Sequence, residues 1–342
     1  MRVGVDAIGN LRGVYSGASE GRLIIGSHID TVPNAGAFDG VLGVMIGLAL
    51  VEGLAGQRLP FEIEVIAFSE EEGVRFRKPF LGSLALVGGL QMDGEIAQAV
   101  RDFGLDPELI GEARIDARRV IGYLEFHIEQ GPVLDEADLP LGVVEAIVGQ
   151  SRFGLTFSGA ANHAGTTPMG RRRDALAAAA EWVVAVEAEG LHVDGLVASV
   201  GSIQAFPNAG NVIAGEVQVS LDVRHRADEV RLAAVKSLLD KAVEIGERRG
   251  VGVAWDERLN QPATQMDAGL VSLAERSVPF KMVSGAGHDA MILAPVVPSV
   301  MLFVRSPGGV SHHPDESVRA EDVAAAIRAG LALLNEIAKR YN

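Results

Sequence analysis

The stretch LIIGSHIDTVPNAGAFDGVLGVMIGLALVEGLAGQRLPFEIEVIAF, residues 23–68, decides the fold class. Its apolar runs Leu23–Ser27 and Phe61–Phe68 predict buried strands, and a third run of this kind follows at Tyr123–Ile128. Between the first two, Asp39–Gly56 is rich in Val, Leu, Met and Ala and predicts a helix. Strand, helix and strand at this spacing indicate an α/β architecture.

The middle of the chain has a different pattern. Arg152–Ser158 and Val197–Gln204 are predicted strands, and Glu216–Arg224 alternates strictly between apolar and polar residues, as a strand with one buried face does. Arg173–Glu189 and Val230–Arg249 are predicted helices. Strands and helices in this order indicate a compact α+β unit.

The α/β pattern returns after this unit, with a predicted strand at Ser299–Val304 and a closing amphipathic helix at Glu321–Tyr341. We therefore expect a smaller α+β domain, residues 150–262, inserted into an α/β domain formed by residues 1–149 and 263–342. The length of 342 residues agrees with about two domains.

Composition excludes several classes of function. Lys and Arg number 30 and Asp and Glu 45, which makes the formal net charge −15. This excess argues against nucleic acid or an anionic membrane as the main partner. The absence of cysteine excludes disulfides, thiolate nucleophiles and iron–sulfur ligation. Because the N-terminus has no apolar signal region and no apolar stretch is long enough to span a bilayer, we expect a cytoplasmic protein.

The first candidate site is the loop GSHIDTVPNAGAFDG, residues 26–40, directly after a predicted strand. Sites in open α/β sheets form at the carboxyl ends of strands, and His28, Asp30 and Asp39 are residue types that bind divalent metal ions. The alternative is a polar loop in which Asp30 forms a turn and Asp39 caps the following helix.

The segment FSEEEGVRF, residues 68–76, follows the second strand. Three consecutive glutamates, Glu70 to Glu72, repel one another, and a metal ion would relieve that repulsion while one carboxylate served as a base. A run of this kind in a solvated loop is the alternative. In the segment FHIEQGP, residues 126–132, His127 and Glu129 fall on one face of an extended chain.

The fourth segment, GGVSHHPDES, residues 308–317, supplies His312 and His313, either of which is otherwise a loop or surface residue. Histidines and carboxylates thus follow four predicted strands, in a chain without cysteine. A site for two divalent metal ions, of Zn²⁺, Mn²⁺, Co²⁺ or Ni²⁺, explains this distribution most simply and predicts metal-assisted hydrolysis.

The inserted domain carries neutral and cationic groups instead. His163, in the segment NHAGTTPM, suits a donor to an oxyanion, and Arg224 suits a clamp for a carboxylate. The alternatives are that His163 fills a turn and that Arg224 pairs with Asp222 or Asp228. Asp174 is a candidate cap for the helix that follows it.

Together these motifs resemble the metal-dependent amidase/aminoacylase/carboxypeptidase family, most closely its ureido-hydrolysing branch, whose members act on allantoate or N-carbamoyl-L-amino acids. The resemblance runs from GSHIDTV to SHHPDE, with the motifs in the family's order. It implies a metallopeptidase-like catalytic domain with a central mixed sheet and an inserted α+β dimerisation (lid) domain.

The resemblance implies roles for the residues that match the family's motifs. Two divalent ions, Zn²⁺ or Mn²⁺ with Co²⁺ or Ni²⁺ as further possibilities, would be held by five ligands, with the aspartate bridging: His28, Asp39, Glu72, His127 and His312. Glu71 would be the general base. Asp30 would orient His28.

The substrate contacts are implied in the same way. His163 would polarise the scissile carbonyl, in the family often across a dimer interface, which implies a homodimer. The remaining contacts to a small ureido acid would come from Gln130, Asn211, Arg224, Gly285 and Ala286. Members of the family have a further, mostly helical stretch before the segment that matches VDAIGNLRG. This chain starts almost at that segment, so we expect part of the helical cover of the sheet to be missing.

The activity implied is hydrolysis of a ureido C–N bond with release of ammonia and carbon dioxide. Three alternatives remain. The first is an aminoacylase or peptidase, against which the EEG and EQG motifs argue. The second is a protein that binds a ureido acid without catalysis, and the third is an inactive fragment.

Overall fold

The predicted strands and helix of the first part of the chain form in the computed structural model, which describes residues 1–341. The apolar runs form buried strands because their β-branched and aromatic side chains are packed on both faces. The elements of this part are β1 Arg2–Val5, β2 Leu11–Tyr15, β3 Arg22–His28, α1 Val41–Gly53, β4 Glu62–Phe68, α2 Leu81–Val87, α3 Gly94–Asp102, β5 Val120–Ile128, α4 Val133–Glu136 and β6 Leu141–Ile147.

The middle part contains the predicted mixture of strands and two long helices. Its elements are β7 Gly149–Ser158, β8 Asn162–His163, α5 Ala175–His192, β9 Val197–Ser199, β10 Ile203–Phe206, β11 Val212–Ile213, β12 Glu216–His225, α6 Asp228–Arg249 and β13 Gly252–Gln261. The last part returns to the α/β pattern. Its elements are β14 Thr264–Gln265, α7 Ala268–Ala274, β15 Lys281–Ser284, α8 Asp289–Leu293, β16 Ser299–Val304 and α9 Ala320–Tyr341.

The described residues form two compact units. One contains Met1–Ile147 together with the segment from Gln265 onward, and the other contains Val148–Thr264. The first is named the main unit and the second the inserted unit. Among the described residues, no helix combines the length and apolarity needed to span a membrane.

A mixed sheet forms the centre of the main unit, with the strand order β1-β2-β4-β3-β5-β16-β6-β14 and with β15 beside β6. The four strands β4, β3, β5 and β16 are parallel to one another, whereas β2 and β6 run antiparallel to their neighbours β4 and β16. The four parallel strands therefore end at the same edge, at Phe68, His28, Ile128 and Val304. This edge is where the predicted site residues follow in the sequence.

Helix α1 lies so close to the sheet that only glycine fits at position 43. A Cβ on Gly43 would be 2.0 Å from the carbonyl oxygen of Phe126 in β5. The helix packs its face of Leu42, Ile46 and Leu50 into the main apolar core.

Strand β1 is an edge strand of this sheet. It is exposed along its length, and Val3 is 67% exposed.

The inserted unit has an antiparallel sheet of order β10-β12-β7-β13, with β9 also paired to β12. Helices α5 and α6 bury their apolar residues against this sheet, with Trp182 fully buried among them. The Trp182 indole Nε1–H donates to the carbonyl oxygen of Leu238 over 2.8 Å, which satisfies its one polar atom.

The prediction of a single strand at Val197–Gln204 is wrong. This segment forms two strands, β9 and β10, with a break between them. The backbone N–H groups of Gly201 and Ser202 donate to the Ser220 hydroxyl oxygen, at 3.1 and 2.9 Å. These two residues therefore pair with a side chain at the point where a continuous strand would pair with backbone.

Asp174 is the N-cap of helix α5, as predicted, although the helix begins at Ala175 and not at Arg173. The Asp174 carboxylate accepts the N–H groups of Leu176 and Ala177, at 3.0 and 3.1 Å. We expect Asp174→Ala to lower the free energy of unfolding of the inserted unit by about 1 kcal/mol, because two N–H groups lose their acceptor. Denaturant melts followed by Trp fluorescence check this, since Trp182 and Trp255 both lie in this unit. Asp174→Asn, which keeps an acceptor, is the control and should recover most of the loss.

Candidate active site

The edge of the main unit's sheet where the four parallel strands end collects side chains that are far apart in the sequence. His28 is the last residue of β3, and His127 is the second-last residue of β5. The loop after β4 carries Glu71 and Glu72, and the loop after β16 carries His312. Strand order, rather than local sequence, makes these residues neighbours.

Two buried imidazoles face each other at this edge. The Nε2 atoms of His28 and His127 are 3.2 Å apart. His28 Nδ1 lies 2.8 Å from the carbonyl oxygen of Asp30, and His127 Nδ1 lies 2.9 Å from that of Ile128. A carbonyl oxygen can only accept, so each Nδ1 carries the proton.

Burial lowers the pKa of both rings, that of His127 to about 4, and both are therefore neutral near pH 7. In a neutral ring with a protonated Nδ1, the Nε2 atom has a free lone pair. The two lone pairs point toward one another without a proton between them. A cation between or beside them removes this repulsion, and histidine nitrogens are common metal ligands.

Asp39 lies between a histidine of strand β5 and a histidine of the loop after β16. Its Oδ1 is 3.2 Å from His127 Nε2, and its Oδ2 is 3.0 Å from His312 Nε2. The carboxylate does not cap helix α1, whose N-cap is Gly40 without a side-chain hydrogen bond, so the capping alternative is wrong. Gly40 has φ +66, and a Cβ there would be 2.4 Å from the His28 ring. Glycine at this position thus allows Asp39 and His28 to come together.

The glutamate run is held in place by Asp30. The Asp30 carboxylate accepts the backbone N–H of Glu71 at 3.0 Å and that of Glu72 at 3.1 Å. Asp30 contacts His28 by a hydrogen bond through its backbone carbonyl, while its carboxylate Oδ1 stays 3.8 Å from His28 Nδ1. Its side chain therefore orients the glutamates more directly than it orients the histidine.

Glu71 and Glu72 point to different parts of the site. Glu72 Oε1 is 3.6 Å from His312 Nε2, and Glu71 Oε2 is 3.9 Å from His28 Nε2. Burial raises the pKa of Glu71 well above its ordinary value, with further contributions from Asp289, Glu72, Glu125 and Asp30. Burial also raises the pKa of Glu72, to about 7, and the nearby Asp39 carboxylate adds to this shift. Crowded carboxylates of this kind are typical of sites that bind cations or transfer protons.

The geometry contains sets of donor atoms that lie within 4.8 Å of one another and could hold metal ions. The first group is His28, Asp39 and His127, and the second group is Asp39, Glu72 and His312. Asp39 belongs to both, as a bridging ligand must. A third, mixed set is His28, Glu71 and Glu72. Asp39 Oδ1 and Glu72 Oε1 are buried and accept no hydrogen bond from the described residues, so the residues present fit a metal pair.

A cluster of buried acids behind Glu71 was not predicted from the sequence. Glu125 and Asp289 are completely buried, and burial raises the pKa of both, that of Asp289 to about 7. Glu125 Oε2 accepts the Tyr123 hydroxyl at 2.9 Å and the N–H of Ala290 at 2.8 Å. The sequence signals were an isolated glutamate in the apolar run YLEFHI, two residues before His127, and the segment GAGHDAM, in which the family resemblance places Asp289 near the substrate.

Residues near His127 and His312 connect further segments to the edge. Gln130 has φ +60, and its Nε2 donates to Asp39 Oδ2 over 3.0 Å. Glu129, placed by the sequence on the His127 face, instead accepts the N–H groups of Val133 and Leu134 at the start of α4. His313 has an exposed ring whose Nδ1 accepts the N–H of Asp315.

The predicted substrate residues Gly285 and Ala286 lie in the turn after β15. The backbone of Ala286 forms hydrogen bonds with the Ser284 hydroxyl, which also lies 2.9 Å from His288 Nε2. The buried His288 ring packs edge-on against His127, with 4.4 Å between ring centroids. The turn is thus linked through one imidazole to a residue of the first group.

The three predicted substrate residues of the inserted unit do not converge within it. His163 and Asn211 are exposed neighbours, since β8 pairs with β11 and the N–H of Ala164 donates to Asn211. They lie beyond the Glu216 end of β12, while Arg224 lies at its other end. Arg224 pairs with Asp222 at 2.9 Å, and His163 Nδ1 accepts the N–H of Gly165. Both local alternatives raised by the sequence are therefore present.

Comparison with known proteins identifies the family of the chain. The profile of the peptidase family M20/M25/M40 matches residues 24–336. The chain belongs to this family. The fold class predicted from the sequence, with its central mixed sheet, and the resemblance to amidohydrolases are both confirmed.

Relatives with assigned names are similar over nearly the whole chain. Allantoate deiminase 1 of Glycine max is 38% identical over 388 positions, covering 98% of this chain and 80% of that protein. The N-carbamoyl-L-amino acid amidohydrolase of Geobacillus stearothermophilus is 40% identical, covering 93% of this chain and 83% of that protein. The chain is an amidohydrolase of its family.

A solved structure agrees with the fold. A hydantoinase/carbamoylase family amidase from Burkholderia ambifaria matches with a TM-score of 0.89 and 33% identity, covering 99% of this chain and 86% of that chain. The match supports the metallopeptidase-like architecture.

Proposed function

We propose that this amidohydrolase uses two divalent metal ions to hydrolyse the ureido C–N bond of allantoate or of an N-carbamoyl-L-amino acid. The observation that carries the proposal is the sharing of Asp39 by two groups of ligand atoms, with the buried carboxyl of Glu71 beside them. The relatives named above for allantoate and for N-carbamoyl-L-amino acids are similar to the chain to nearly the same degree, which supports the ureido class and leaves both substrates as candidates.

The first group would hold one ion and the second group the other. Three imidazole nitrogens together with carboxylate oxygens suit Zn²⁺ or Mn²⁺, with Co²⁺ and Ni²⁺ as further candidates. Ions bound there would supply Lewis-acid charge, which makes water more acidic and stabilises negative charge on a carbonyl oxygen.

Glu71 has the environment of a general base and acid. Its raised pKa lets the carboxylate accept a proton from the attacking water and return it to the leaving nitrogen. As water oxygen bonds to the ureido carbon, the C–N bond breaks and ammonia leaves. The resulting carbamate then loses carbon dioxide.

We propose that the residues of the inserted unit bind the substrate, with Arg224 clamping the carboxylate and His163 and Asn211 donating to polar oxygens. Gln130, Gly285 and Ala286 complete the proposed contacts. A clamp of this kind fixes which carbonyl is attacked.

The site we propose needs two copies of the chain. The ten residues of β12, at a rise of about 3.3 Å each, span about 30 Å between the end near His163 and the end that carries Arg224. A small ureido acid cannot contact both ends of one inserted unit. A homodimer in which one copy supplies Arg224 and the other supplies His163 removes this difficulty.

Exposed apolar side chains on the inserted unit support this dimer. Leu191 and Val184 on α5 are 84% and 64% exposed, and Val197 on β9 is 58% exposed. Val184 and Leu191 are seven positions apart on α5 and therefore lie on the same face of the helix. A contiguous exposed apolar surface commonly marks an interface between protein chains.

Mixing two inactive variants tests the shared site. His163→Ala and Arg224→Ala should each lose most activity as a homodimer. In a refolded equimolar mixture, half of the dimers combine the two chains and have one intact site, so activity should return to about one quarter of wild type. A mixture that remains inactive, with mixed dimers present by mass spectrometry, would contradict the shared site.

The substrate is tested by ammonia release. The purified chain is stripped with chelator, loaded with Zn²⁺ or Mn²⁺, and given allantoate and a panel of N-carbamoyl-L-amino acids, with N-acetylated amino acids as the comparison. We expect metal-dependent release from a ureido acid, and relative kcat/KM names the substrate. Cleavage of the N-acetylated compounds alone would overturn the proposal in favour of an aminoacylase, and binding without turnover would favour the non-catalytic alternative.

A further inference from the structure

Glu316 is a buried carboxylate that joins two segments carrying proposed metal ligands. Its Oε1 accepts the backbone N–H groups of Phe38 and Asp39, each at 3.0 Å. Its Oε2 accepts the hydroxyl of Ser311 at 2.8 Å. The side chain thus contacts the backbone of the bridging aspartate and the residue directly before His312.

The loop before Asp39 is shaped around this side chain. A Cβ on Gly36 would lie 2.3 Å from Glu316 Cβ and 2.5 Å from Glu316 Oε1. Glu316 is only 5% exposed. Removing the three donors from this buried carboxylate would cost free energy, because its charge would lose its hydrogen bonds. The two segments are therefore held firmly to it.

Among the proposed ligands, His312 is the one held least firmly by its own surroundings. Its side chain is 47% exposed, and its backbone has φ +54, a conformation that non-glycine residues adopt at a cost. Its Nε2 nevertheless lies 3.0 Å from Asp39 Oδ2. The neighbouring residue Ser311 connects this segment to Glu316, and Glu316 connects it to Asp39.

We infer that Glu316 is a positioning residue for the second group, Asp39, Glu72 and His312. It fixes the distance between the bridging carboxylate and His312 through backbone and hydroxyl donors, and both of its oxygens are occupied by those donors. The inference rests on the proposed function, because it assigns Glu316 a part in holding the second of the two ions. The first group has its own supports, since the Nδ1 atoms of His28 and His127 bind backbone carbonyls.

Metal titration of the chelator-treated chain tests the inference without measuring activity. Mn²⁺ binding is followed by isothermal titration and by electron paramagnetic resonance of free Mn²⁺. We expect wild type to bind two ions and Glu316→Ala to keep the first ion, while binding the second about 10–100-fold more weakly. His312→Ala, which removes a ligand of the second group, sets the reference for losing that ion.

Two variants separate positioning from general damage. Glu316→Gln should bind both ions nearly as wild type does, because its amide oxygen accepts the two N–H groups and its amide N–H donates to Ser311. Glu64→Ala removes another buried carboxylate, which binds Arg12 and Arg22 in the sheet, and should leave both metal affinities unchanged.

The outcomes are distinct. Wild-type affinity for both ions in Glu316→Ala would overturn the inference, as would equal weakening of both ions or a Gln variant as weak as the Ala variant. If Glu316→Ala does not fold, Ser311→Ala carries the test, and wild-type affinity for the second ion in that variant would overturn the inference. A wild-type chain that binds no divalent ion would overturn the proposed function, and this inference with it.

Discussion

Glu71→Gln should lower the rate of ammonia release by about 10²–10⁴-fold, the usual contribution of a general acid–base residue. Glutamine has nearly the shape of glutamate but cannot take a proton from water at neutral pH. Because Glu71 belongs to neither the first nor the second group, the variant should still bind two ions and melt near the wild-type temperature. Steady-state kinetics together with metal analysis of the same sample check all three expectations.

The matched control is Glu70→Gln, which neutralises the adjacent carboxylate. Glu70 is in none of the groups of ligand atoms, so its replacement should change kcat by no more than a few-fold. Near-wild-type turnover by Glu71→Gln would exclude Glu71 as the base. Loss of a bound ion in that variant would instead identify Glu71 as a ligand, as the mixed set with His28 and Glu72 allows.

Asp39→Ala should remove both ions, because this carboxylate is the member common to the first and second groups. Wild type should gain about 4 kcal/mol of stability for each bound ion when the free ion is at about 1,000 times the Kd of that site. The variant should show almost none of this gain in thermal melts with and without Zn²⁺. Its activity should fall at least as far as that of Glu71→Gln.

The metal-free proteins provide a further comparison. Burial raises the pKa of Asp39, which means that its charged form is disfavoured where it stands without a cation. Without metal, Asp39→Ala should therefore be at least as stable as wild type near neutral pH. Asp315→Ala, which removes an exposed carboxylate beside His313, should keep both ions. Retention of two tightly bound ions by Asp39→Ala would contradict a bridging role.

The sequence was sufficient to predict that the candidate histidines and carboxylates collect at one edge of the sheet. The apolar runs marked the parallel strands. Strand β3 ends at His28, and the loops after β4 and β16 carry Glu71 and His312, so these residues lie at one edge of the sheet. Strand β16 begins and ends at the predicted residues. The family resemblance then supplied residue roles that composition and spacing leave open.

The contacts that complete the site depend on tertiary structure and could not be predicted. Glu316 meets the N–H of Asp39 across 277 positions, and Glu125 meets that of Ala290 across 165. No local pattern marks such pairs, because they follow from the order of strands in the sheet. The capping alternative for Asp39 failed for a local reason, since Gly40 takes the N-cap position and releases the carboxylate toward the histidines.

Glu129 shows the limit of extrapolating strand periodicity. Residues 127 and 129 share a face only while the chain stays extended, and the strand ends at Ile128. The next turn, with Gln130 at φ +60, directs Glu129 to the start of α4. Arg224 and His163 were likewise assigned to one substrate before the length of β12 showed that they lie at its opposite ends.

The position of β16 between β5 and β6 has a consequence for synthesis on the ribosome. All three residues of the first group precede the inserted unit, whereas the second group lacks His312 until the loop after β16 has been made. At roughly 5–20 residues per second, translation of residues 148–312 takes about 8–33 s. During that time the nascent chain has one complete ligand group, and the edges of β5 and β6 that β16 will occupy remain open to other strands. β16 therefore fills the gap between β5 and β6, and the loop that follows it carries His312, which completes the second group.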